Sequence, residues 1–431
     1  MKKTFTLFSL LLVSLVLNAQ NVNIPDAIFK NALLKYHNID TNNDKEIQIT
    51  EAENYTGGFN ITSLGIKSVS GIEAFKNITF LACQVNLIPS MDLSQNKKLT
   101  YISCYNNRLV SLTLPQTTSL TSLEASTNLI TTLDLSFVPN LRTLRVDLNY
   151  LTALDISQNH LLETLDCNNN QLIALNSSPN SALKMLSCFT NQLPALNVAH
   201  FPALQFLNCG VNNLTALDLT ANTNLYSLSC TQNQLTNLNV DTNVLLEYLD
   251  FRNNFIEAIT VTQLPMLTTL ACSQNKMKAL DVSQNTKLTL LVCEDNSLTK
   301  LNMKNTNNHN VTYYDSRNNP DLTCIMVDNA DFSTANWLNK DNTANFSEDC
   351  LYMNVTQETA AKLKLFPNPV KQKFTVQLNG EITAIEIYAQ SGQLVKKGNS
   401  KTVDISSLPK GIYHVKVKTP TGTHSKNIIK E

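Results

Sequence analysis

Five oxygen-bearing side chains within twelve residues are the first group that could do chemistry. Asp40, Asn42, Asp44, Glu46 and Glu51 fall in the run Asp40-Thr41-Asn42-Asn43-Asp44-Lys45-Glu46-Ile47-Gln48-Ile49-Thr50-Glu51. Carboxylates and amides at the first, third, fifth and twelfth places of a loop are hard oxygen donors, the kind a calcium ion gathers. The ten cysteines are the second group. Eight of them (Cys83, Cys104, Cys167, Cys188, Cys209, Cys230, Cys272 and Cys293) recur at intervals of 21 residues or multiples of it. The same column holds Ala125, Val146 and Phe251 elsewhere, so the place asks for apolar volume rather than sulfur. Equivalent Cβ atoms on coils about 4.8 Å apart stand beyond the ~3.5–4.5 Å that a disulfide needs. With no His or carboxylate in the column, a metal array is not expected, and the reading is free, buried thiols. Catalytic signatures are missing from the sequence: no HExxH, GxSxG, P-loop or GxGxxG stands anywhere in it. The six histidines (37, 160, 200, 309, 414 and 424) are scattered, and an enzyme is not expected.

The calcium-type run is similar to an EF-hand loop, with oxygen donors at its first, third and fifth places, an apolar eighth residue and Glu at the twelfth. Lys45 departs from the pattern, standing where that family has Gly for a turn with positive φ. The resemblance implies weak Ca2+ binding at Asp40, Asn42, Asp44, Glu46 and Glu51; the alternative is a purely structural cap. Residues 25–37 before it read as an amphipathic helix with Ile28, Leu33, Leu34 and Tyr36 on its apolar face. Helix and loop together, residues 20–60, are expected to cover one end of the next element.

That element is a repeat. Leucine stands at 99 and at every 21st residue to 288, with Ile78 one step earlier, giving eleven coils without an insertion. Each coil reads LxxLxCxxNxLxxLDLSxNxx. The pattern resembles the leucine-rich repeats of bacterial surface proteins such as internalins, over residues 61–323. Both halves of a coil alternate with period two, which predicts two short strands per coil and a flattened, β-rich leucine-rich-repeat solenoid. An Asn occupies every coil from Asn86 to Asn296 and is expected to form a ladder that satisfies backbone groups at the bend. The Asp column (Asp92, Asp134, Asp155, Asp218, Asp281) is read as turn chemistry. Aromatics and arginines vary over the outward-facing places of the presumed concave face, among them Phe80, Tyr101, Tyr105, Arg142 and Arg145. Phe189, Phe206, Tyr226, Tyr248 and Arg252 lie on consecutive coils and are the candidate ligand-binding residues.

The ends supply the address. Lys2 and Lys3 precede an apolar run from Phe5 to Leu17, then Asn18-Ala19. That run is too short for a bilayer span, which takes about 20 residues, and reads as a signal peptide over 1–19. No later stretch is long and apolar enough, so no transmembrane span is expected. After Asn308 the repeat slips by two residues, and Val311, Tyr314, Asn319 and Leu322 form an irregular last coil. Cys324 and Cys350, outside the thiol column, flank the one Trp in a C-terminal cap, residues 324–352. Export through an oxidising compartment favours a bond between them, worth about 3–4 kcal/mol on the loop-entropy argument. A polar linker, 353–363, leads to alternating strands and turn signals over 364–431, a small β-sandwich. Pro367-Asn368-Pro369, Gly392, Leu408-Pro409, Gly411-Ile412-Tyr413 and the last strand, Lys426 to Lys430, closely resemble the C-terminal sorting domain of the type IX secretion system of Bacteroidetes. The resemblance implies passage over the outer membrane by that machinery, with the protein released or attached to the outer cell surface.

Of 431 residues, Lys and Arg number 33 and Asp and Glu 34. This balance removes the electrostatic case for nucleic acid as a partner. The expected function is a secreted or cell-surface recognition module binding a protein or glycan through its concave face, an adhesin being one such role. The alternative is a structural or matrix component with the solenoid as a stiff spacer.

Overall fold

The computed structural model describes residues 20–350, 363–378, 382–389, 393–419 and 422–431. The expected signal segment, Gly392 and the connector up to residue 362 lie outside the described residues. The chain divides into two compact units between Phe346 and Ser347. No helix among the described residues is long and apolar enough to cross a membrane.

The first unit is a solenoid built on one 13-stranded parallel sheet. Its strands are three residues long and start with Gly58–Asn60, Phe80–Ala82 and Tyr101–Ser103. They continue in step to Leu290–Val292 and end with Tyr313–Asp315. The sheet therefore extends one strand beyond the eleven regular coils at each end. Adjacent strands keep the same register, so Leu207 pairs with Leu228 and Leu228 with Leu249. The last pairing joins Leu291 to Tyr314, which places the two-residue slip in the turn between them. In each strand the middle residue points inward, and the Leu columns from Leu81 to Leu291 are fully buried in one continuous core. Parallel strands spaced by one coil length put like on like, so packing is the same problem solved repeatedly.

The second half of the coil behaves less uniformly than its period-two pattern predicts. It forms paired strands at Ser90–Asp92 with Ser111–Thr113 and at Ala153–Asp155 with Ala174–Asn176. A four-stranded sheet runs from Ala279–Asp281 to Asn345–Ser347. Between these stretches the second half is extended without a ladder, although Leu135, Leu219 and Leu238 remain buried. Burial of the inward Leu is independent of hydrogen bonding between coils, so the sequence pattern persists where the strand does not.

Two asparagine columns hold the coil corners. In the first, Asn212 Nδ2 donates to the carbonyls of Cys188 and Cys209 at 3.0 and 3.1 Å, and its Oδ1 accepts from Leu193 N at 3.0 Å. The same triplet recurs at Asn128, Asn149, Asn170, Asn191 and Asn233. The second column, Asn96, Asn159, Asn222, Asn243 and Asn285, works at the opposite corner; Asn222 Nδ2 reaches Val198 O and Phe201 O at 3.0 and 2.8 Å. Just before each residue of the first column, one residue takes a left-handed backbone, from Val85 (φ 59°) through Val211 (φ 52°) to Asn318 (φ 57°). The left-handed conformation costs an L-residue roughly 1–2 kcal/mol, and the bonds of the adjacent Asn hold it there. The Asp column makes the expected turns: Asp134 Oδ1 accepts from Ser136 N at 2.9 Å, and Asp218 Oδ1 from Thr220 N at 3.0 Å.

At the N-terminal end, the helix Ala27–Tyr36 buries Phe29, Ala32 and Leu33. This corrects the expected face: Ile28 and Tyr36 are exposed, because the spacing of 29, 32 and 33 is the one that shares a helical stripe. At the other end Tyr314 stacks on Trp337 at 4.7 Å, and Phe346 meets Trp337 edge-on at 5.7 Å. Cys324 and Cys350 are disulfide-bonded.

The second unit packs a three-stranded antiparallel sheet, Lys364–Phe366, Lys373–Gln377 and Thr402–Asp404, with a four-stranded one built on Ala384–Ala389, Leu394–Gly398, Gly411–Thr419 and Gly422–Lys430. Phe374, Ile385, Ile387, Val415, Val417 and Ile428 fill its core.

Candidate functional site

Strand alternation sends the first and third residues of each three-residue strand to the outer face of the 13-stranded sheet, and the residue two further on joins them. Three outward columns result. Phe206 and Tyr248 stand in the first, separated by Ser227. Tyr226 precedes its strand by one residue and sits at the sheet margin, 44% exposed. Phe189 belongs to the third column, beside Gly210. A Cβ on Gly210 would come within 3.1 Å of Phe189 Cδ2, so the missing side chain leaves room for the ring. The ring pair that does stack is elsewhere: Phe80 and Tyr101 lie 5.0 Å apart at 7°. Among the described residues, none of the ring contacts joins Phe206, Tyr226 and Tyr248.

Arg252 is a clamped cation. Its Nε and Nη2 donate to Asp250 Oδ1 and Oδ2 at 2.9 and 2.7 Å, and Tyr248 OH donates to Oδ2 at 3.2 Å. Asp250 is buried while the Arg252 side chain stays 46% exposed. Burial, then the Asp250 charge, pushes the Tyr248 hydroxyl up, and the hydrogen bond to Asp250 raises the guanidinium further. Further along the sheet, Glu163 bridges Lys184 at 3.0 Å and Arg142 at 2.6 Å, which lowers its carboxyl.

The acidic loop turns inward on itself. Asp40 accepts from Asp44 N at 3.2 Å and Lys45 N at 2.9 Å, and Asn42 Oδ1 from Asp44 N at 2.9 Å. Asp44 Oδ1 accepts from Glu46 N at 2.8 Å, and Glu46 pairs with Lys30 at 2.7 Å. Glu51 accepts from Thr41 N and Oγ1 at 2.7 Å and from Gln48 N at 3.0 Å, closing a capping box on the helix Ile49–Asn54. Lys45 adopts φ 66°, the backbone a Gly would supply. Among the described residues no three His, Cys, Asp or Glu side chains converge into a metal cluster.

The eight column thiols are free and fully buried. Burial pushes Cys104 and Cys188 up to about 12, and Cys83, Cys167, Cys209 and Cys272 well above the ordinary thiol range. Such thiols are poor nucleophiles at neutral pH.

In the C-terminal unit two motif residues have evident tasks. Asn368 brackets the last strand, its Nδ2 donating to Asn427 O at 3.1 Å and its Oδ1 accepting from Ile429 N at 2.8 Å. Tyr413 OH donates to Pro409 O at 2.8 Å. Residues 364–431 match the family profile of the secretion system C-terminal sorting domain. The chain ends in a type IX sorting domain. The protein is accordingly secreted or attached to the outer cell surface.

The fold as a whole is similar to the functional domain of InlJ from Listeria monocytogenes, a structure described as including a cysteine ladder. Identity is 24% over 96% of this chain and 98% of that one, with a TM-score of 0.61. An internalin, inlF, from the same species matches at 22% identity over 70% of this chain and 98% of that one, with a TM-score of 0.50. These likenesses establish the leucine-rich-repeat fold. Comparison with curated proteins gives no match.

Two features of the sheet face escape a reading by single residues. The Phe80–Tyr101 stack joins two aromatics that the sequence places on the face without pairing them. Tyr313, Asp315 and Arg317 repeat the outward side chains of Tyr248, Asp250 and Arg252. The signal is present as YxDxR in both places, but the two-residue slip hides the second from a 21-residue comparison.

Proposed function

We propose that the solenoid is a recognition module, displayed outside the cell, whose continuous sheet face binds a protein or glycan; an adhesin is one such role. The observation that carries this reading is the set of separate exposed aromatics on the sheet, Phe80, Tyr226, Tyr248 and Tyr313 among them, with Tyr248 held by Asp250 beside a clamped Arg252. Rigid Tyr and Arg groups lose little entropy on binding and dominate interface energetics. Among the described residues no constellation of side chains favours a catalytic reading over this one. Weak calcium binding at the acidic loop belongs to the same proposal; it is supported by the left-handed Lys45 and requires Glu51 to release Thr41 and Gln48.

The test is a triple variant, Phe206→Ala, Tyr226→Ala and Tyr248→Ala, used in pull-down and glycan-array assays beside the wild type. Loss of ligand with an unchanged melting temperature supports the reading. Retained binding moves the site elsewhere, and absence of any ligand for the wild type favours the stiff-spacer alternative.

A further inference from the structure

Two strands of the sheet carry the same outward triplet: Tyr248, Asp250 and Arg252 on one, Tyr313, Asp315 and Arg317 on the other. Tyr248 pairs with Thr269, Thr269 with Leu290 and Leu290 with Tyr313. The triplets are therefore level on the sheet, three strand steps and about 14 Å apart. In both, the arginine forks onto its aspartate: Arg252 as described, and Arg317 Nε at 3.0 Å from Asp315 Oδ1. Both aspartates are 2% exposed, whereas both guanidinium side chains and both tyrosines reach solvent.

Between the triplets the sheet offers small side chains, Ala271 and Ser273, and then Val292 and Glu294. Two polar atoms there have no partner. Ser273 is 2% exposed and its Oγ makes no hydrogen bond, nor does the buried Oε2 of Glu294. A buried hydroxyl and carboxylate oxygen left without a hydrogen bond are costly, which marks this stretch as one not optimised for stability alone.

We infer that this four-strand stretch binds a neutral oligosaccharide of repeating units, each triplet receiving an equivalent part of the ligand. The inference rests on the reading of the sheet face as a binding surface and extends it to Tyr313, Asp315 and Arg317. Charge selects the class. Two guanidinium groups face three carboxylates, Asp250, Asp315 and Glu294, and each guanidinium is already bonded to its own aspartate. A polyanion finds no uncompensated cation here, and a basic side chain meets two arginines. A sugar presents hydroxyls that accept from the free edges of the two exposed guanidinium groups. Its apolar face stacks on a tyrosine ring. Two identical triplets at one height suit a ligand that is itself periodic, as a homopolymer glycan is and a peptide of mixed sequence is not.

The experiment is affinity electrophoresis and calorimetry of the full chain with laminarin, mannan, xylan, galactan and soluble cellulose and chitin oligomers. Heparin, polygalacturonate and a random-sequence peptide library serve as the other arms. Binding to at least one neutral polymer is expected, weakened about tenfold or more by Tyr313→Ala and by the charge-preserving pair Arg252→Lys and Arg317→Lys. Both variants keep the aspartates paired or untouched, and melting curves check that they fold. Absence of binding to any of the neutral polymers, or binding confined to an acidic polymer or to peptides, overturns the inference. So does neutral-glycan binding that survives Tyr313→Ala. If that surviving binding is lost in Phe206→Ala/Tyr226→Ala, the general reading of the face stands while this site falls.

Discussion

Asp26 joins the N-terminal helix to the first coil through its two carboxylate oxygens: Oδ1 caps the helix at Ile28 N and Phe29 N, and Oδ2 accepts from Lys67 N at 2.7 Å and Ser68 N at 3.1 Å. Partial burial opposes its ionisation, yet the hydrogen bonds from Phe29, Lys67, Ser68 and Ile28 leave the carboxyl below its ordinary range. Asp26→Ala should cost about 1–2 kcal/mol, the upper range for a lost cap. Hydrogen exchange should show the loss first in residues 27–36 and in the backbone around Lys67. Uniform loss over the solenoid would contradict a local clasp.

The left-handed column offers a stabilising substitution. Val211 holds φ 52° with a β-branched side chain, and Asn is far more at ease there. Val211→Asn should raise stability by about 0.5–1 kcal/mol in a denaturant melt, with the fold unchanged. A fall in stability would mean that the half-buried Val211 side chain contributes more by packing than its backbone costs.

The thiol column makes a chemical prediction. Native protein treated with iodoacetamide at neutral pH should keep all eight column cysteines unmodified, since they are buried and held as thiols. Unfolding without reductant should then expose eight reactive sites and leave Cys324 and Cys350 joined. Mass spectrometry that finds a bridge between neighbours such as Cys188 and Cys209 would refute the ladder of free thiols.

Calcium at millimolar concentration should raise the melting temperature of the wild type by mass action and leave Glu51→Gln unmoved. An unchanged wild type would make the loop a structural cap alone, consistent with Glu51 bonding Thr41 and Gln48.

Acid stability of the C-terminal unit should depend on Glu386. Hydrogen bonds from Lys418, Tyr388 and Lys397 hold its carboxyl down at about 2. A carboxyl depressed in the folded state adds stability that is complete above its unfolded value, near 4.5, and vanishes as pH falls through 2. Glu386→Gln should therefore destabilise the unit at pH 6, while well below pH 2 wild type and variant should melt alike. Equal melting at both values would remove the carboxylate from the account.

The repeat makes most of this architecture legible. A side chain returning every 21 residues fixes the Leu core, the Asn ladder and the thiol column at once, because register turns sequence spacing into spatial neighbours. The second-half strands are legible only in part, since the inward alternation that buries Leu135 and Leu219 survives without a strand ladder. The helix face departs from expectation because Ile28 and Tyr36 are apolar but fall off the stripe of Phe29, Ala32 and Leu33. On the sheet face, the sequence names the aromatics without saying which will touch. Whether Arg252 is free or clamped depends on Asp250 facing outward beside it, a matter of strand alternation that a list of exposed residues does not contain.

The unbroken register of the sheet also bears on how such a chain varies over time. Every regular coil offers its neighbours the same edge, the same Leu and the same Asn bonds. Recombination between any two matching points in the gene would therefore remove or duplicate whole coils and leave every remaining junction as it was. The two caps are not interchangeable with the coils, so they mark the ends of the portion that can change length. Reach becomes a heritable quantity adjustable in fixed steps, each step carrying its own face residues with it.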